Sequence, residues 1–251
     1  MPRSLGALTT ILLTGTVSAT ILHFDSEPAP GVLFSDYGDR VSMSPDVSGH
    51  TYGMGLGWTP HVELEYRPLD PATRLAIPLA APGVWGGGYG DLDHVAWSGV
   101  GPVGMLEIEF LPHPGYAVVV HSFDAAGFSF DQVSQPIYFA DANNTIIADL
   151  SGTIFGPPTH STFAGITHYG PLKLQVGNTW NVGVDNISIT ETLVLAGDMN
   201  HDCVVNLADL GVVLANFGSP DPTAFDGDLD GDGDVDIGDL GVVLAAFGDS
   251  C

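Results

Sequence analysis

The heptapeptide Asp-Leu-Gly-Val-Val-Leu-Ala occupies residues 209–215 and returns unchanged at 239–245. Whatever the first copy folds into, the second folds into as well, so the C-terminal end is a pair of like units. Each copy closes an acidic loop. The first runs Asp198-Met-Asn200-His-Asp202-Cys203-Val204-Val205-Asn206-Leu-Ala-Asp209, the second Asp228-Leu-Asp230-Gly-Asp232-Gly233-Asp234-Val235-Asp236-Ile-Gly-Asp239. Ca²⁺ takes about six to eight hard oxygen ligands, and a loop offering oxygens at alternate positions wraps one ion. Positions 1, 3, 5 and 12 bear side-chain oxygen in both loops; Val204 and Asp234, at position 7, would give a backbone carbonyl. Asn206 and Asp236, at position 9, would act directly or through water.

After each loop the apolar spacing turns helical, with Leu210, Val213, Leu214 and Phe217 matched by Leu240, Val243, Leu244 and Phe247. These stripes predict the packed faces of two short helices. Gly218 and Gly248 are placed to stop them, and Asn206 and Asp236 to cap their starts, with Asp209 and Asp239 three residues on. Val205 and Val235 are expected to pair the loops through a short β contact. Without an ion the carboxylates repel, by about 3 kcal/mol for a pair ~5 Å apart at an effective dielectric near 20, and charge alone would favour disorder. The apolar helix faces favour a fold that the ion completes.

This tandem of loop and exit helix, over about residues 197 to 249, resembles the type I dockerin family of extracellular bacteria. The likeness implies two bound Ca²⁺, docking onto a cohesin-like receptor, and a host protein of the kind that often degrades polysaccharide. The chain departs from that family's pattern at Leu207-Ala208 and Ile237-Gly238, where Ser or Thr pairs are common, and at Ala215 and Ala245, near a usual basic contact. Opposite the core stripes, Gly211, Val212 and Ala215, and Gly241, Val242 and Ala245, make a nearly uncharged face. Solvent faces of helices are normally polar, so this one is read as a docking face, either for a partner or for the chain's own larger domain. Cys203 stands at loop position 6, where glycine suits the backbone. If the helices lie antiparallel, the chain's end returns beside the first loop, and a Cys203–Cys251 disulfide would clasp the unit; two free thiols are the alternative.

The chain carries 30 acids against 5 Lys and Arg, a formal charge of −25. All five cations precede residue 174, which excludes nucleic acid and anionic membrane as natural partners and points to divalent cations instead. Met1-Pro2-Arg3, an apolar run from Leu5 to Val17 and Val17-Ser18-Ala19 read as a secretory signal, residues 1–19, and no other stretch could span a bilayer. A secreted, extracellular or cell-surface protein follows.

Residues 20–195 show short alternating segments between Gly and Pro turns: Val62 to Tyr66, Met105 to Leu111, Ala117 to Phe123, Ile137 to Phe139, Thr145 to Leu150, Leu172 to Val176 and Trp180 to Thr190. They predict a mainly β domain, an antiparallel sandwich of jelly-roll type, followed by the small all-α unit of residues 196–251. Phe24-Asp25-Ser26-Glu27 and Val184-Asp185-Asn186-Ile187-Ser188-Ile189 loosely resemble the ends of lectin-like and carbohydrate-binding-module sandwiches of secreted bacterial proteins. That likeness implies a third metal site at Asp25, Glu27 and Asp185; strand-end acids in solvent are the plainer reading.

Glu63 with Glu65, and Glu107 with Glu109, each lie on one face of a strand. Nothing in the spacing fixes the cleft separation a glycosidase needs, so both pairs read as a solvated face and no catalytic residue is assigned. His94, His113, His121, His160 and His168 lack metal-ligand spacing. Trp58, Trp85 and Trp97 with Tyr89 either stack on sugar or pack a core. The expected protein is a non-catalytic secreted binder, with a displayed polysaccharide-degrading glycosidase and a purely structural extracellular protein as alternatives.

Overall fold

A computed structural model describes residues 19–25, 29–33, 37, 59, 61–113, 116–200, 202, 204–219, 227–229 and 234–250. Residues 1–18 of the expected signal segment, and Glu27, Trp58, Cys203, Asp230, Asp232, Gly233 and Cys251, lie outside them. The strands are β1 (Thr20–Leu22), β2 (Gly31–Val32), β3 (Val62–Leu69), β4 (Gly83–Tyr89), β5 (Leu92–Trp97), β6 (Met105–Pro112), β7 (Tyr116–Gly127), β8 (Gln132–Gln135), β9 (Ile137–Ala140), β10 (Ile146–Asp149), β11 (Gly152–Ile154), β12 (Ser161–Ala164), β13 (Thr167–His168), β14 (Leu172–Val176) and β15 (Val182–Leu193). Two helices follow, α1 (Leu207–Ala215) and α2 (Ile237–Ala245).

One sheet runs β12-β7-β15-β5-β4-β2, with β1 added to β15 and β13 to β7; the second runs β10-β9-β14-β6-β3, and β8 pairs with β11. All these pairings are antiparallel. The architecture is that of a β-sandwich. Period-two alternation explains how the sheets stick: Val62, Leu64 and Tyr66 of β3 and Leu172, Leu174 and Val176 of β14 are buried, and they share one core with Phe123, Val184 and Ile187 of the other sheet. Phe123 meets Phe139 across that core, edge to face at 6.1 Å.

Each strand expected from alternation forms. The β4–β5 hairpin was not foreseen, because Trp85-Gly-Gly-Gly-Tyr89 reads as a turn. β4 opens on a glycine that admits an aromatic neighbour. Gly83 pairs with Trp97, and a methyl at Gly83 would lie 2.6 Å from the Trp97 ring nitrogen.

The two helices contact each other around a second, smaller core of Val205, Val213, Val235 and Val243. Leu210 and Leu240 pack against it, but Leu214, Phe217, Leu244 and Phe247 are exposed, which corrects the wider packed stripe read from the spacing. Helices this short, in a core of four valines, bury only one narrow line. The valines also pair differently from the expected loop-to-loop contact. Val205 exchanges backbone bonds with Gly248 and Asp249 beyond α2, and Val235 accepts one from Gly218 beyond α1. Each loop therefore grips the segment that follows the other repeat's helix.

Candidate functional site

Both loops end in the same device. Asn206 caps α1 and Asp236 caps α2, each within a capping box completed by Asp209 or Asp239. Asp209 is fully buried and accepts N–H bonds from Met199 (2.7 Å), Asn200 (3.1 Å) and Asn206 (2.8 Å). Asp239 likewise accepts from Leu229 (2.6 Å) and Asp236 (2.7 Å). Burial works to raise the Asp209 pKa, and the N–H groups of Asn206, Asn200 and Met199 outweigh it, holding the carboxyl below its ordinary value. The last carboxylate of the first loop is thus held ionised at the start of its helix.

The other donors of the first loop bond within it. Asp202 N–H donates to the Asp198 carboxylate (3.1 Å) and to the Asn200 side-chain Oδ1 (3.0 Å), and Val204 N–H donates to the Asp202 carboxylate (2.9 Å). These bonds set the alternation of oxygens that an ion would need. Among the described residues no three His, Cys, Asp or Glu side chains converge closely enough to hold a metal ion. In the second loop Asp228, Asp234, Asp236 and Asp239 are described, while Asp230 and Asp232 are not. The chemistry of the donors, carboxylate, amide and carbonyl oxygen throughout, fits Ca²⁺.

Cys203 and Cys251 lie outside the described residues; their neighbours Val204 and Ser250 form an antiparallel β-bridge. The chain's end does return beside the first loop. Of the predicted docking face, Gly211, Ala215, Gly241 and Ala245 are exposed and Val212 and Val242 partly so. Nothing lies within 4 Å of a Cβ built at Gly211 or Gly241. Leu207, Leu214 and Phe217, with Ile237, Leu244 and Phe247, are also exposed and make this face more apolar than the sequence suggested.

On β15, an interior strand of its sheet, Asp185 lies within the electrostatic reach of Asp25 and of other acids. β15 carries one extra residue between Asp185 and Ser188 in its pairing with β7, with Asn186 at φ 50. This bulge keeps Val184 and Ile187 in the core and sets Asp185 opposite Asp124. Asp185 is 3% exposed. Burial, with the charges of Asp25, Asp124 and Asp93, pushes its carboxyl up to about 7, although the Asn186 N–H bond opposes this. His23 and His94 face Asp25 at 3.5 and 3.7 Å. His160 bonds Asp91 at 2.7 Å and lies 3.5 Å from Asp124. The histidines lacked any sequence spacing because they gather from β5, from a loop and from beyond β1; only strand order joins them.

Glu107 and Glu109 are buried, which corrects the solvated-face expectation. Arg67, opposite Glu107 on β3, reaches Glu65, Glu107 (2.8 Å) and Glu109, and its guanidinium pKa is raised: burial acts to lower it, and the bonds to Glu65 and Glu109 prevail. Gln175 donates to Glu107 at 2.6 Å, and Arg74 donates to Gln175 at 2.8 Å. Lys173 lies 3.8 Å from Glu109. The three Lys and Arg side chains among the described residues all serve this one network, a pairing that holds carboxylates in place rather than leaving them poised for acid–base work.

No protein-family model matches this chain, and no curated protein proves similar to it. The class defined by fold and sites is a mainly antiparallel β protein with a C-terminal pair of capped loop–helix repeats.

Proposed function

We propose that this is a secreted protein whose dockerin-like C-terminal repeats bind two Ca²⁺ and dock onto a protein receptor, cohesin-like or otherwise, while its jelly-roll sandwich serves as a non-catalytic carbohydrate-binding domain. One observation carries the docking reading: two like helices sit on paired acidic loops and turn Leu207, Gly211, Leu214 and Phe217, and Ile237, Gly241, Leu244 and Phe247, to solvent. An apolar face repeated at corresponding positions and left uncovered is what a partner would bury. Asp198, Asn200, Asp202, Asn206 and Asp209 with the Val204 carbonyl would hold one ion, and Asp228, Asp230, Asp232, Asp236 and Asp239 with the Asp234 carbonyl the other. Bound Ca²⁺ would supply the positive charge that lets these carboxylates face one another. The bonds of Arg67 to Glu107 and Glu109 favour a non-catalytic sandwich.

Titration calorimetry of the full chain should register two Ca²⁺ per molecule, with Asp209→Asn and Asp239→Asn each removing one. Absence of tight uptake would end the docking proposal. Release of reducing sugar from a polysaccharide would replace the binding role of the sandwich with a glycosidase.

A further inference from the structure

Beside the β4–β5 hairpin, aromatic rings form a connected strip. Phe128, just beyond β7, has Trp85 edge-on at 6.4 Å, Tyr89 at 5.3 Å and Trp180 at 6.1 Å. The strip is one-sided. Tyr89 is buried, whereas Trp85 is 36% and Trp180 40% exposed. It is also fastened from behind: the Tyr89 hydroxyl donates to the Trp180 carbonyl at 2.9 Å. Phe128 N–H donates to the Asn181 carbonyl, and Ser129 N–H to the Gly88 carbonyl, both at 2.8 Å. Gly88, at φ +85, lets Phe128 lie on the hairpin turn, since a methyl there would sit 2.6 Å from the ring. Rings held in place before a ligand arrives lose little freedom on binding it.

At the Trp180 end of the strip lies an open cleft of about 630 Å³ lined by Asp70, Pro71, Pro102, Val103, Asn178 and Thr179. Trp180 follows Thr179 in the chain and stands about 3.8 Å from a Cβ built at Gly101. The partly exposed Trp180 indole thus stands beside amide, hydroxyl and carboxylate groups. A sugar ring suits that mixture, because its C–H face stacks on an aromatic plane while its hydroxyls require hydrogen-bond partners. Charge narrows the choice. The chain carries −25, and among the described residues Arg67, Arg74 and Lys173 are already paired with Glu107, Glu109 or Gln175, so an anionic ligand would meet net repulsion.

We propose that the Trp85–Phe128–Trp180 strip and the adjoining cleft bind an uncharged glycan chain. This rests on the carbohydrate-binding role given above for the sandwich, and adds the site and the charge class of the ligand. The test is affinity electrophoresis and calorimetry of the full chain against neutral polysaccharides (hydroxyethyl cellulose, xylan, galactomannan, mixed-linkage glucan) and anionic ones (alginate, heparin). At least one neutral polymer should bind and the anionic ones should not. Trp85→Ala and Trp180→Ala should each weaken binding tenfold or more, Trp180→Phe should retain most of it, and Ile147→Ser, exposed on β10 of the other sheet, should change nothing. Retention by Trp180→Phe separates a lost stacking face from a lost fold. Undiminished binding in both alanine variants would overturn the site and leave the carbohydrate role standing. Failure of every neutral polymer to bind would overturn both, and preference for an anionic polymer would overturn the charge argument.

Discussion

Arg67 shows how a single side chain governs a sheet face. With it in place, Glu107 and Glu109 can be buried; without it, two carboxylates remain inside with only Gln175 and Lys173 near. Arg67→Met is therefore expected to destabilise the sandwich by about 3 kcal/mol, measured by urea unfolding, because an uncompensated buried charge costs more than the pair contributed. Asp185 presents the opposite case, a carboxyl with neighbours of its own sign. Its folded pKa of about 7 exceeds that of an unfolded Asp, about 3.9. Between these values the folded chain holds a proton that the unfolded chain has released, so this group's stabilisation is full below about pH 4 and is lost as pH rises through 7. Asp185→Asn should flatten that decline and raise the melting temperature at pH 8. Thermal melts from pH 4 to 8 check it; a variant melting lower than the parent at pH 8 only when Ca²⁺ is present would point to a cation at Asp25 and Asp185 instead.

Among the elements, the two loop–helix repeats depend on their entry glycines. Gly197 has φ +84, and a Cβ there would lie 3.0 Å from the Val243 backbone in α2; Gly227 has φ +116, with Val213 of α1 at 3.4 Å. Each loop can approach the opposite helix only because no side chain intervenes. Gly197→Ala should cost about 1–2 kcal/mol through left-handed strain and contact, seen as faster hydrogen exchange in both helices. Within one helix, neighbouring positions should behave differently. Val213→Ala, in the valine core, is expected to destabilise the repeats by about 2 kcal/mol. Leu214→Ser, on the exposed line, should stay within about 0.5 kcal/mol of the parent. A comparable loss from Leu214→Ser in the same hydrogen-exchange measurement would show that this face is packed.

For the whole molecule, the main sandwich core and the valine core of the repeats are separate clusters, so their stabilities should respond separately. Chelation with EGTA is expected to open residues 196–251 to proteolysis and leave the sandwich resistant; equal protection with and without chelator would count against an ion-dependent tail. Much of this organisation was legible in the chain itself. Period-two alternation marked β3, β6, β7, β9, β10, β14 and β15, and the repeat marked both helices and their caps, because these are local patterns that neighbouring residues satisfy among themselves. What the fold alone decided is contact between distant segments. Trp97 met Gly83 across the β4–β5 pair, Arg67 reached Glu107 and Glu109 from the neighbouring strand, and strand order gathered Asp25, Asp93, Asp124 and Asp185 with three histidines from separate parts of the chain. Trp85 and Trp180 likewise meet Phe128 only through the pairing of distant strands. Spacing along a chain encodes which face a residue takes, but which faces meet depends on the order in which strands pair.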